Sequence, residues 1–157
     1  MKRIWAPWRM KFINSKVSGC VFCDVRAQND DVRNLVVCRG NTAFVMLNLY
    51  PYNTGHLLII ANAHLPSLEN LESECRAEMM ELAAHSISVL RRVYQPHGFN
   101  LGVNIGEAAG AGIPGHVHLH VLPRWTGDAS FTLTLAETKV LPETLEESYK
   151  RISASWS

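Results

Sequence analysis

The stretch "GHVHLHV" (Gly115 to Val121) places a histidine at every second position. In an extended strand residues two apart share a face, so His116, His118 and His120 line one side and Val117, Leu119 and Val121 the other. At a rise of about 3.3 Å per residue, successive histidines stand ~6.6 Å apart at Cα and can serve one site without crowding. One face is expected to pack and the other to carry chemistry. The strand follows directly on "GEAAGAGIPG" (106–115), whose glycines Gly106, Gly110, Gly112 and Gly115 leave backbone N–H groups open to an anion such as a phosphate.

Working outward, "LVVCRG" and "TAFVMLNL" are apolar and β-branched and flank Gly40-Asn41, which predicts a hairpin. After the turn signals of "YPYNTG", the run "HLLIIA" reads as a buried strand. From Glu72 to Tyr94 the positions Met79, Leu82, Ala83, Ser86, Val89, Leu90 and Val93 recur at three- and four-residue steps, the pattern of an amphipathic helix. Acidic residues lie at its start, Arg91 and Arg92 near its end, and Pro96 and Gly98 stop it. "FNLGVNI" then reads as a strand, and a second, shorter helix is expected from Pro142 to Ile152. Residues 1 to about 33, with Trp5, Trp8, Phe12 and little periodicity, suggest an irregular segment packed on the rest, and 126–157 a C-terminal extension. The expectation is one α+β domain over 1–157, a mainly antiparallel sheet with one long and one short helix.

The chain has 157 residues, 47% of them apolar, and a net charge of +1 from 15 Lys+Arg against 14 Asp+Glu. No whole-molecule field draws in nucleic acid or a membrane surface, and the basic stripe with exposed aromatics used by RNA-binding sheets is missing. The basic N-terminus meets Pro7, Trp8 and Arg9 where a signal peptide needs an apolar run, and Asn48, Pro51, Asn53 and Gly55 interrupt the apolar stretch from Ala43 to Ile60. A cytoplasmic protein is expected. Of four cysteines, Cys20 and Cys23 form a C-x-x-C pair, which in such a chain suggests a metal or a redox couple, while Cys38 and Cys75 read as packing thiols.

Neutral histidine is a good nucleophile near pH 7, and a histidine face beside a glycine loop suits phosphoryl chemistry through a covalent intermediate. A neighbouring imidazole assists the leaving group, and the loop amides stabilise charge on the phosphoryl oxygens. The rival use is metal binding by H-x-H, for which Glu107 is the nearest carboxylate.

"HVHLHVLPRW" resembles the H-x-H-x-H motif of the histidine-triad superfamily, and the likeness extends through "LNLYPYNTGHLLII", "GFNLGVNIGEAAGAG", "WAPWRM" and "TKVLPETL". Within the superfamily the chain is most similar to the bacterial branch related to diadenosine tetraphosphate phosphorylases, or ATP adenylyltransferases. The resemblance implies the histidine-triad fold, a two-fold homodimer, and cleavage of a dinucleoside polyphosphate at the α-phosphorus. His118 would be the nucleophile, and His120 would bind phosphate oxygens and tune the leaving step. Asn48 matches the residue that meets the ribose, and Asn104 a polar residue facing the scissile phosphates. Gly110 and Gly112 would bind phosphate through the backbone. Many members carry a hydroxyl or amide residue just before the triad; here the chain reads "AGIPG", so backbone donors must do more.

Relatives, including hexose-phosphate uridylyltransferases, hold zinc with two N-terminal cysteines, a mid-chain histidine and the first triad histidine. These positions are Cys20, Cys23, His64 and His116, a set able to close a tetrahedral structural site. A divalent cation accompanying the nucleotide is a further expectation. Phe44, Met46 and Leu47 are candidates for the base slot, whereas His56, His85 and His97 read as structural. The same nucleophile serves a phosphorylase using inorganic phosphate, a hydrolase using water, or a nucleoside phosphoramidase. The reading from another class is a nucleotide-binding module without turnover.

Overall fold

The apolar, β-branched runs beyond Leu35 form strands because their side chains pack on a pleated surface. The computed structural model of the chain describes residues 19–28, 30–128 and 141–157. In chain order the elements are helices α1 (Val21–Ala27) and α2 (Asp31–Asn34), strands β1 (Val36–Arg39), β2 (Ala43–Leu47) and β3 (Leu57–Ala61), helix α3 (Ser73–Tyr94), strands β4 (Gly98–Val103) and β5 (His118–Arg124), and helix α4 (Leu145–Ala154). The strands pair antiparallel throughout in the order β1-β2-β3-β5-β4. The α+β architecture with one long helix is as expected.

Four expectations need correction. Residues 1 to 33 are not wholly irregular, since α1 and α2 fall within them; Phe22 and Val25, three apart, bury one side of α1. Trp5, Trp8, Phe12 and the "WAPWRM" stretch lie outside the described residues, as does most of 126–140. The hairpin centres on Asn41-Thr42 rather than Gly40-Asn41, because the Glu78 carboxylate on α3 accepts the N–H groups of Asn41 (2.7 Å) and Thr42 (2.6 Å). The short helix starts later than Pro142, where Thr144 and Glu147 close a reciprocal capping box.

The fourth correction concerns the sheet faces, both of which pack. Val45, Leu47, Leu57, Ile59, Leu119 and Val121 meet Cys75, Met79, Ala83 and Leu90 of α3 on one side. On the other, Phe44, Met46, Leu58 and Ile60 meet Phe22 and Val25 of α1. The histidine face is therefore partly roofed by a helix. Among the described residues no helix is long and apolar enough to cross a membrane.

The loop between β2 and β3 brings a further histidine under the sheet. The Asn48 N–H donates to the His56 carbonyl (2.9 Å), and the Asn53 amide donates to the Pro123 carbonyl of β5 (3.0 Å). Gly55 turns this loop at φ +75°, and a Cβ there would stand 3.0 Å from both Leu90 Cδ2 and Tyr94 Cε2. Gly55→Ala is expected to destabilise the fold by about 1–3 kcal/mol, from left-handed strain plus contact with α3. Urea denaturation checks this, and an unchanged midpoint would contradict it.

Candidate active site and metal centre

β5 positions two of the three motif histidines. His118 pairs across the ladder with Ile60, and His120 with Leu58 on one edge and Gly102 on the other. Their rings lie 5.0 Å apart at the centroids. They line a pocket of about 260 Å³ together with Asn48, Asn104, Gly110, Gly112, Met46 and Leu47. These expected residues do converge. Phe44, one of the base-slot candidates, is not among the lining residues and packs against α1 instead.

His116 departs from the expected three-histidine face. The strand begins only at His118, because the His116 N–H turns back to Ile113 O (3.2 Å) and the Val117 N–H is taken by Leu65 O (2.7 Å). The buried His116 ring meets the cysteines instead of the pocket. Its carbonyl accepts the Nδ1–H of His118 at 2.9 Å, which leaves the Nε2 lone pair of His118 available. Burial holds the His118 imidazole below its ordinary range, against the opposing pull of that carbonyl. Burial thus favours the neutral ring.

His56, read from sequence as structural, is a member of this site. Its Nδ1 accepts the Tyr52 N–H (3.1 Å) and faces the Asn48 amide (3.3 Å). The proton of the neutral ring is thus on Nε2, which donates to His120 Nδ1 at 3.0 Å. His120 in turn carries its proton on Nε2. Tyr52 stacks on His120 within 10° of parallel. Asn48 also makes a local turn, its Oδ1 accepting the Tyr50 N–H at 2.9 Å, so one side chain holds the loop and lines the pocket. The signal that would have found His56 is the eight-residue return from Asn48, visible only as a closed loop. His85 and His97 bond Trp156 O and the Thr126 hydroxyl respectively, away from the pocket.

The ligand atoms of Cys20, Cys23, His64 and His116 lie within 4.8 Å of one another. Cys20 Sγ stands 3.3 Å from His116 Nδ1, Cys23 Sγ 3.3 Å from His64 Nδ1, and Cys23 Sγ 3.7 Å from His116 Nδ1. A tetrahedral ion at about 2.3 Å from sulfur and about 2.0 Å from nitrogen requires ligand-to-ligand edges of about 3.3–3.8 Å. The donor set fits a metal. The His116 Nε2–H donates to Ala61 O (2.7 Å), which turns the lone pair of Nδ1 toward the thiols. Burial, then the Cys20 sulfur, pushes the Cys23 thiol up, an effect that a bound cation would offset. Glu107, the carboxylate considered for a metal, is not part of the cluster.

A family model for the HIT domain matches residues 29–127. The chain belongs to the HIT, or histidine-triad, family. This HIT protein is 36% identical over 166 aligned residues to the AP-4-A phosphorylase of Mycobacterium tuberculosis, covering 100% of this chain and 85% of the relative. It is 29% identical over 99 residues to the asymmetrical bis(5'-nucleosyl)-tetraphosphatase of Schizosaccharomyces pombe, covering 63% of this chain and 54% of that protein. A crystal structure of a Zn-bound histidine triad family protein from Mycobacterium smegmatis superimposes with a TM-score of 0.71 at 28% identity, over 88% of this chain and 93% of the other.

The HIT protein purified without chelator is expected to hold about one transition-metal ion per chain, as a closed four-donor site requires. Elemental analysis tests this on wild type and on Cys23→Ser, which should lose the ion and melt at a lower temperature. Less than about a tenth of an equivalent in the wild type would refute the site.

Proposed function

We propose that this HIT protein cleaves a dinucleoside polyphosphate of the diadenosine tetraphosphate kind at the α-phosphorus, through a nucleotidyl intermediate on His118. The observation that carries the reading is the hydrogen bond from His118 Nδ1 to the His116 carbonyl, which leaves Nε2 as a neutral nucleophile beside the pocket. Attack by Nε2 forms the N–P bond as the P–O bond to the leaving nucleotide breaks, and the carbonyl steadies the positive charge that develops on the ring. His120, protonated on Nε2 through His56, donates to a phosphoryl oxygen, and the backbone at Gly112 takes another, whereas the Gly110 N–H is already given to the Glu107 carbonyl (2.9 Å), so Gly110 lines the pocket without donating. Asn48 meets the ribose and Asn104 the phosphates, while Met46 and Leu47 contribute to the base slot.

Similarity across the full chain to the M. tuberculosis phosphorylase favours inorganic phosphate as the acceptor, which gives ADP and ATP from diadenosine tetraphosphate. Similarity to the S. pombe tetraphosphatase keeps water as the second reading, which gives AMP and ATP. The metal of the Cys20, Cys23, His64 and His116 cluster is zinc on this reading, since two thiolates and two imidazoles are ligands that suit it. Zinc would supply structural closure between α1 and the start of β5. The exposed edge strand β4, with Leu101 on its surface and Ile105 just beyond its end, supports a two-fold homodimer through that side.

Product analysis of diadenosine tetraphosphate with and without inorganic phosphate tests the reading. ADP plus ATP only with phosphate is expected, AMP plus ATP in both tubes would make it a hydrolase, and no turnover would leave a phosphoramidase or a binding module. His118→Gly should abolish turnover while AMP still binds. His56→Leu should slow turnover at least tenfold or so, whereas His56→Gln, which keeps an N–H for His120 Nδ1, should retain more of it.

A further inference from the structure

α1 sits between the metal cluster and the pocket. Its cap residue Cys20 and its third residue Cys23 are metal donors, while Val21 and Phe22, between them, are pocket wall. Phe22 is 4% exposed, and its ring meets His116 edge-on at 5.4 Å and His118 at 5.0 Å. One side chain thus touches a metal donor and the proposed nucleophile.

The two ends of α1 are held differently. At its C-terminal end Arg39 donates to the carbonyls of Val25 (3.1 Å), Arg26 (3.2 Å) and Gln28 (2.9 Å) and pairs with Asp31. At the N-terminal end Cys20 makes no side-chain capping bond. Seven residues are too few to hold a helix by their own hydrogen bonds, so order in the first turn depends on tertiary contacts and on what engages Cys20 and Cys23. A ligand in the pocket rests on the same turn, through Val21 and Phe22.

We propose that the metal cluster and the nucleotide pocket are thermodynamically linked through α1, with Phe22 as the coupling residue. The nucleotide half of this linkage rests on the function proposed above. Each ligand fixes the first turn of α1, so whichever binds second meets an element already ordered, and the effect is reciprocal. Phe22 transmits it because its ring closes the space between His116 and His118. The role is one of positioning, since Phe22 has no group that takes part in a reaction.

The test is a linkage cycle with Zn2+ and AMP. AMP affinity is measured by calorimetry on chelated, thiol-reduced protein and on protein saturated with zinc. Zinc affinity is measured with and without AMP by competition against a chromophoric chelator. Zinc is expected to tighten AMP binding by about tenfold, and AMP to tighten zinc by the same factor. Phe22→Ala should still take up zinc one to one but lose the coupling to within about twofold. Phe22→Leu, which keeps apolar bulk, should fall between the two and serves if the alanine variant does not fold. Equal AMP affinity with and without zinc in the wild type overturns the linkage, and coupling in both variants equal to wild type removes Phe22 from it.

A readout that needs no nucleotide is the imidazole nitrogen resonances of His118, which zinc should move further in the wild type than in Phe22→Ala, where only the path through the His116 carbonyl remains. If AMP binds neither form, the proposed function falls, and these resonances decide the linkage: a zinc-induced shift that Phe22→Ala reduces upholds it, and a shift equal in both proteins, or none in the wild type, overturns it.

Discussion

The pairing of β5 between β3 and β4 is the constraint on which the site depends. Both edges of β5 are hydrogen bonded, with His118 opposite Ile60 and His120 opposite both Leu58 and Gly102. A slip of one residue would turn Leu119 and Val121 out of the core beneath α3 and bury His118 and His120 there instead. Packing on one face therefore sets the aim of the imidazoles on the other. The Asn48–His56 loop is tied to the same strand through Asn53 and Pro123, so the fourth histidine inherits that register.

The sheet and the long helix were legible because period alone specifies them. Alternation at Gly115–Val121 and the three- and four-residue steps of Glu72–Tyr94 place faces without knowledge of partners. The strands at Ala43–Leu47 and Leu57–Ala61 were bounded by Asn, Pro and Gly in the expected places. The short elements were less legible. α1 has only seven residues, and what marks it as a helix is the burial of Phe22 and Val25 against a sheet face that a local window cannot show.

In the candidate site, the pocket residues were legible and the wiring between them was not. His116 shares the spacing of His118 and His120, yet it closes the turn before the strand because Ile113 and Leu65 claim the backbone bonds around it. Spacing predicts a common face only where the ladder is made. His56 sits in a loop whose closure depends on Gly55, on the Asn48–His56 bond and on the long-range bond from Asn53 to Pro123, so no periodicity flags it. The candidate metal donors span residues 20 to 116, a separation at which only the resemblance, and not the spacing itself, could group them.

The central place of β5 also orders how the molecule loosens. β1 and β4 each have one neighbour and are the edges of the sheet, whereas β3 and β5 are paired on both sides. Amide protons of an edge strand exchange with solvent through small openings, while those of an inner strand packed under a helix exchange only when the sheet comes apart. The backbone of the strand that carries His118 is therefore expected to exchange later than that of the edge strands, so the site sits on the part of the sheet that opens last.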